Sequence, residues 1–207
     1  METARVQPRY NRSMPALLVA LLTLPPQSAR FDVLVKGKKA GVATYRLSDR
    51  PGGGRVTRLR IALADGAVTE SLSLTDASGA AVRSENVVRR GKAFTKETVT
   101  YGARGDATIV ANDGKPVVVP FDRRGSRKDP SEAWLRPTVP SAGTWAVYRA
   151  LDPRKRVWDE VRVTFVGKKG AGYLLRQSRA GGTTDYTLDT HGLPLVIEAN
   201  DLRLVRR

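Results

Sequence analysis

The sequence predicts a mainly β protein built on one curved antiparallel sheet, and three observations carry that prediction. From Phe31 onward, short runs rich in Val, Thr, Leu and Tyr alternate with Gly, Asn, Asp and Pro at intervals of about ten residues, the rhythm of successive hairpins. Several runs alternate with period two. Leu59, Ile61 and Leu63 oppose Arg58 and Arg60; Val161, Val163 and Phe165 oppose Glu160, Arg162 and Thr164; Thr184, Tyr186 and Leu188 oppose Asp185, Thr187 and Asp189. One face is therefore dry and one wet, as in a curved sheet that covers a core on a single side. The third observation is that the two halves of the chain echo each other's turns.

Residues 1–29 come first and read as a cleaved export signal. Arg5, Arg9 and Arg12 precede the apolar run Met14–Leu24, and "PPQSA" then breaks any helix and ends in small residues. The run is too short for a membrane span, which needs about 20 apolar residues. An uncleaved anchor and a buried N-terminal helix are the alternative readings. A single domain is expected over 31–207, since 207 residues suffice for one sizeable core without a split. It divides into a β half (31–122), an insert (123–143) and a second β half (144–207). The insert opens with a basic loop. Asp129 then stands as a helix N-cap, Pro130 at the first helical position and Glu132 in the first turn. Pro137 limits that helix to one or two turns.

The turns repeat. Asp76-Ala77-Ser78-Gly79 and Asp189-Thr190-His191-Gly192 both lie between strand-like runs, and Asp-x-x-Gly is the signature of a type I turn. His191, the sole histidine, thus occupies a slot that elsewhere holds Ser78. "ANDGKP" (111–116) predicts a tighter Asn-Asp-Gly hairpin. "VKGKKAG" (35–41) and "VGKKGAG" (166–172) lack phosphate-loop spacing and read as Gly/Lys hairpin turns.

Candidate chemistry is sparse. With no cysteine and one histidine, disulfides, thiolate zinc sites and cysteine nucleophiles are excluded; any metal site would need carboxylates, and no metal or cofactor is expected. A catalytic Asp189–His191 pair would need a nucleophile and oxyanion donors, and there is no Gly-x-Ser-x-Gly elbow. The acidic pairs Asp159/Glu160 and Asp185/Asp189 read as solvated charges. The chain is therefore expected to be non-enzymatic. Its net charge of +16 attracts anions, although arginine spread over every strand and turn also fits an ordinary wet surface. The basic clusters are Arg123, Arg124, Arg127 and Lys128; Arg154, Lys155 and Arg156; and Arg206 and Arg207. The first of these is the candidate anionic-surface contact. Nucleic acid is disfavoured because aromatics make up only 6% and no helix is long enough to enter a groove.

The runs "GTWAVYRALD" (143–152), "VRVTFVGKK" (161–169), "GYLLRQS" (172–178) and "YTLDTHGLPLVIEA" (186–199) resemble the exported bacterial family DUF3108, as does "FDVLVKGKKAGVATYRLS" (31–48). That family is related to the lipoprotein carriers of the Lol system. The resemblance covers most of 31–205 and brings no catalytic residues. It implies a strongly curved antiparallel sheet forming an open, unclosed barrel with a short helix packed in or near the concavity. Trp134 and Leu135 on the insert would then enter the concave face, and Trp145 and Trp158 would line it. Core packing is the ordinary alternative for all four. The expectation is an exported periplasmic or secreted envelope protein that binds or carries a lipid or other apolar ligand, with peripheral membrane contact possible through its basic exterior. The alternatives are a structural or interaction protein with a filled interior, and a binder of anionic envelope polymer.

Overall fold

The computed structural model describes residues 27–121, 126–134 and 139–207, with Glu132 and Ala133 described by backbone alone. The expected export segment as far as residue 26 lies outside these residues, as do Arg123, Arg124 and Leu135. The strands are β1 (Gln27–Val35), β2 (Lys38–Asp49), β3 (Arg55–Leu63), β4 (Val68–Thr75), β5 (Ala81–Arg90), β6 (Ala93–Tyr101), β7 (Ala107–Ala111) and β8 (Val117–Val119) in the first half. After a single helical turn, α1 (Ser131–Trp134), come β9 (Trp145–Asp152), β10 (Val157–Lys169), β11 (Gly172–Arg179), β12 (Gly182–Leu188), β13 (Pro194–Ala199) and β14 (Leu202–Arg206).

All fourteen strands form one antiparallel sheet in the order β8-β7-β6-β5-β4-β3-β2-β1-β14-β13-β12-β11-β10-β9. Each half is a run of hairpins, and the halves join at one long-range pairing, Phe31 opposite Arg206 through Val35 opposite Leu202. The expected strongly curved open barrel around a helix is not what forms. The outermost strands β8 and β9 share no ladder, so the sheet is unclosed, and the only helical element among the described residues is one turn. The physical reason lies in the connections: tight turns lay each strand beside the last, and "SEAW" before Pro137 is too short to make a filling layer.

The turns form as their residues dictate. Asp189 Oδ1 accepts the N–H groups of His191 and Leu193, both at 2.9 Å, and Gly192 has φ of 81°. Asp76 Oδ1 accepts those of Ser78 at 2.8 Å and Ala80 at 3.0 Å, and Gly79 has φ of 78°. Asn112 and Asp113 both take positive φ, as a tight hairpin requires. The two Gly/Lys stretches share a further role. A β-carbon at Gly41 would collide with the carbonyl oxygen of Ala62, and one at Gly172 with that of Leu188. Each glycine therefore lets the next strand approach closely just after its hairpin.

The densest packing is at the junction. Phe31 and Val33 are fully buried and form a cluster with Ala29, Ala43 and Leu204. Gln27, Ser28 and Ala29 are part of β1, opposite Leu47, Arg46 and Tyr45 of β2. A second cluster comprises Val99, Ala107, Ile109 and Val119, and a third Phe165, Leu175 and Leu188.

Candidate functional site

Residues that follow β8, and the segment 126–129, contact β9 and β10. The carbonyl of Ser126 accepts the N–H of Arg149 on β9 at 2.6 Å, and Lys128 makes a backbone bridge to Ala80 beside the β4–β5 turn. This strap ties the outer edge strand β9 to the first half. Trp158 of β10 donates its Nε1–H to the Pro120 carbonyl at 3.0 Å and meets the Phe121 ring edge-on at 4.7 Å. Its ring also lies 6.0 Å from that of Tyr101.

Beneath the strap is a cavity of about 230 Å³ whose walls include Thr75, Tyr101, Arg127, Tyr148, Arg149 and Trp158. Asp129 lines it too, and its oxygens are engaged. Oδ1 accepts the Ser131 N–H at 2.9 Å, the N-cap bond the sequence predicts, and Oδ2 accepts the Gln177 side-chain amide at 2.9 Å. The same amide lies 3.3 Å from the Tyr148 hydroxyl. Burial above all, and then the Asp129 carboxylate, push the Tyr148 phenol far above the usual tyrosine range. Burial likewise raises Tyr186 to about 12. Both phenols remain neutral at physiological pH.

Arg127 is the least satisfied group in this region. Its guanidinium stands 5.4 Å over the Phe121 ring, and its Nη1 is buried without a hydrogen-bond partner. A buried guanidinium donor left unpaired costs about 1–3 kcal/mol or more. Arg149 supplies a second cation and is tied to Glu160 at 3.6 Å.

The residues predicted from sequence are thus divided. Trp158 and Arg127 come together at this cavity. Trp134 packs against the cluster of Phe165, Leu175 and Leu188. Trp145 is 55% exposed on the β9 edge, with the Arg162 guanidinium 4.4 Å over its ring. Lys128 is exposed on the strap. Tyr101 and Tyr148 were not among the sequence candidates. One signal was available for Tyr148: it shares its strand face with Ala146 and Ala150, and an aromatic flanked by alanines leaves room beside its ring.

No protein-family model matches the sequence, and no curated protein matches it. Among solved structures, the chain is similar to the β-barrel-like protein of the domain of unknown function DUF1849 from Brucella abortus. The TM-score is 0.54 at 11% identity, covering 89% of this chain and 95% of that one. A DUF1089 family protein from Pseudomonas aeruginosa gives 0.42 at 16% identity, covering 88% and 95%. The likeness to the Brucella protein is one of fold. The resemblance to DUF3108 and the Lol carriers accordingly reduces to a coarser statement: a distant, unclosed β-sheet fold related loosely to bacterial proteins of unknown function.

Proposed function

We propose that this is an exported, non-catalytic binding protein of the bacterial envelope, and that the cavity beneath the 126–129 strap is its ligand site. The carrying observation is the buried, unpartnered Nη1 of Arg127 in a region walled by Trp158 and Tyr101. That combination suits a small amphipathic anion, with an acyl or ring body against the aromatics and a carboxylate on the guanidinium. The apolar-ligand expectation thereby narrows. A cavity of about 230 Å³ accepts a short chain or a single ring system and leaves no room for a lipoprotein's acyl chains.

Trp158 supplies the probe. With Trp134→Phe and Trp145→Phe, it becomes the sole tryptophan of the chain. Titrating octanoate into that protein should shift or quench its emission. Arg127→Met should weaken octanoate at least tenfold while leaving octanol, which lacks the carboxylate, much less affected. Mass spectrometry of natively purified protein provides a second readout. No emission change with any medium-chain carboxylate, together with a consistently ligand-free purified protein, would overturn the reading.

A further inference from the structure

Among the described strand pairings, like charges face each other directly in two places, and they are built differently. Across β11–β14 the register sets Arg176, Asp185, Glu198 and Arg203 side by side. Asp185 and Glu198 repel, but each has an arginine on its far side, and Arg176 grips Asp185 through two bonds of 2.8 Å. Across β1–β5 the corresponding row is Ser28, Arg46, Arg58, Leu72 and Glu85. Here Arg46 and Arg58 stand opposite each other between a hydroxyl and a leucine. Neither has a carboxylate partner among the described residues. Nearby acids are taken: Glu70 by Arg60 at 3.1 Å, and Glu85 by Arg83 at 3.1 Å and Lys96 at 3.7 Å.

Two hollows flank this pair, and both arginines line both of them. One, of about 440 Å³, is also lined by Thr44, Glu70 and Leu72; the other, of about 420 Å³, by Gln27, Ser28 and Ser48. No aromatic ring lines either, so neither offers the stacking platform that single-stranded nucleic acid uses. Arg60 and Glu85 line the larger hollow as well, and these concave, largely charged and polar surfaces lack the projecting apolar wedge with which a protein enters a bilayer interface.

We propose that Arg46 and Arg58 form an oxyanion site for an acidic polysaccharide. A carboxylate of the chain sits between the two guanidinium groups, and the adjoining sugar rings lie in the two hollows. The bound anion supplies the negative charge that Asp185 and Glu198 supply in the other row. This site is separate from the cavity beneath the strap and stands without it.

The test uses the full chain and oligogalacturonate, with calorimetric titration at fixed ionic strength. The wild type should bind, and neutral dextran should not. Arg46→Glu should lower affinity at least tenfold and at the same time raise Tm, because the row becomes complementary. Arg46→Gln should also weaken binding, without the full gain in Tm. Arg104→Glu makes the same change in net charge on an exposed turn and should leave affinity within twofold. The proposal is overturned if the wild type does not bind, or if Arg104→Glu costs as much as Arg46→Glu, which would mean diffuse attraction only. Equal loss on phosphatidylglycerol vesicles or single-stranded DNA, at higher wild-type affinity than oligogalacturonate, would assign the pair to that partner and overturn it too.

Discussion

The β14–β1–β2 junction and the β3–β5 span belong to one sheet but live in different environments. At the junction Ala29, Phe31, Val33, Ala43 and Leu204 are buried, and the backbone is covered on one side by their packing. In the β3–β5 span only Val87 is buried, and Leu59, Ile61 and Leu63 are half-covered. The face that Leu59 shares continues into Ser71 and Asn86, which are hydrogen-bonded to each other at 3.1 Å. The difference teaches that an alternating pattern reports a potential dry face, while actual burial depends on what packs over it. Stability is concentrated at the junction, and the wetter span is where bare charge can be tolerated and used.

The largest expected effect tests the junction. Phe31→Ala should cost about 3–5 kcal/mol in urea unfolding, since a fully buried ring is lost and a cavity left. Next comes the turn that holds β12 to β13. Burial opposes ionisation of Asp189, but the hydrogen bonds from Arg206 at 2.7 Å and from the Leu193 and His191 N–H groups outweigh it, so its carboxyl lies below the usual range. A lowered native value means stability that is present above about pH 4 and is lost as the pH falls through that value. Asp189→Ala should therefore cost about 1–2 kcal/mol at neutral pH and flatten the acid limb of the stability profile. The same change at Asp76, whose turn lacks the Arg206 bond, should cost less. Leu59→Ala should cost only about 1 kcal/mol. A loss equal to that of Phe31→Ala would break the comparison. The smallest effect sharpens it: Arg46→Glu should stabilise by about 0.2–1 kcal/mol through relief of a like-charge pair. Amide exchange should follow the same order, with β3–β5 opening more readily than β1 and β14.

Local chemistry was legible in the sequence, and long-range geometry was not. The Asp-x-x-Gly turns, the Asn-Asp-Gly hairpin, the Gly/Lys hairpin turns and the N-cap at Asp129 each depend on a few consecutive residues, and each formed. The β1–β14 pairing, the bond from Gln177 to Asp129 and the meeting of Trp158 with Phe121 join residues far apart in the chain, and no local pattern encodes them. For that reason Trp158 and Arg127 were recognisable as candidates but not as neighbours. The helix-filled curved barrel inferred from resemblance failed for a related reason: the outer strands share no ladder, and the helix among the described residues is a single turn, too short to form a layer.

The position of β1 has a consequence for how the chain reaches its native state. Within each half every pairing is between strands adjacent in sequence, so contacts of low sequence separation can form early. The exception joins the first strand to the last, with Arg207 bound to Asp32 across 175 residues. During synthesis β1 can pair with β2 at once, but its other edge stays open until β14 has left the ribosome. An incomplete chain therefore presents the edge of the strand that carries Phe31 and Val33, both fully buried in the native sheet, a hazard for strand exchange between nascent copies until β14 arrives to cap it.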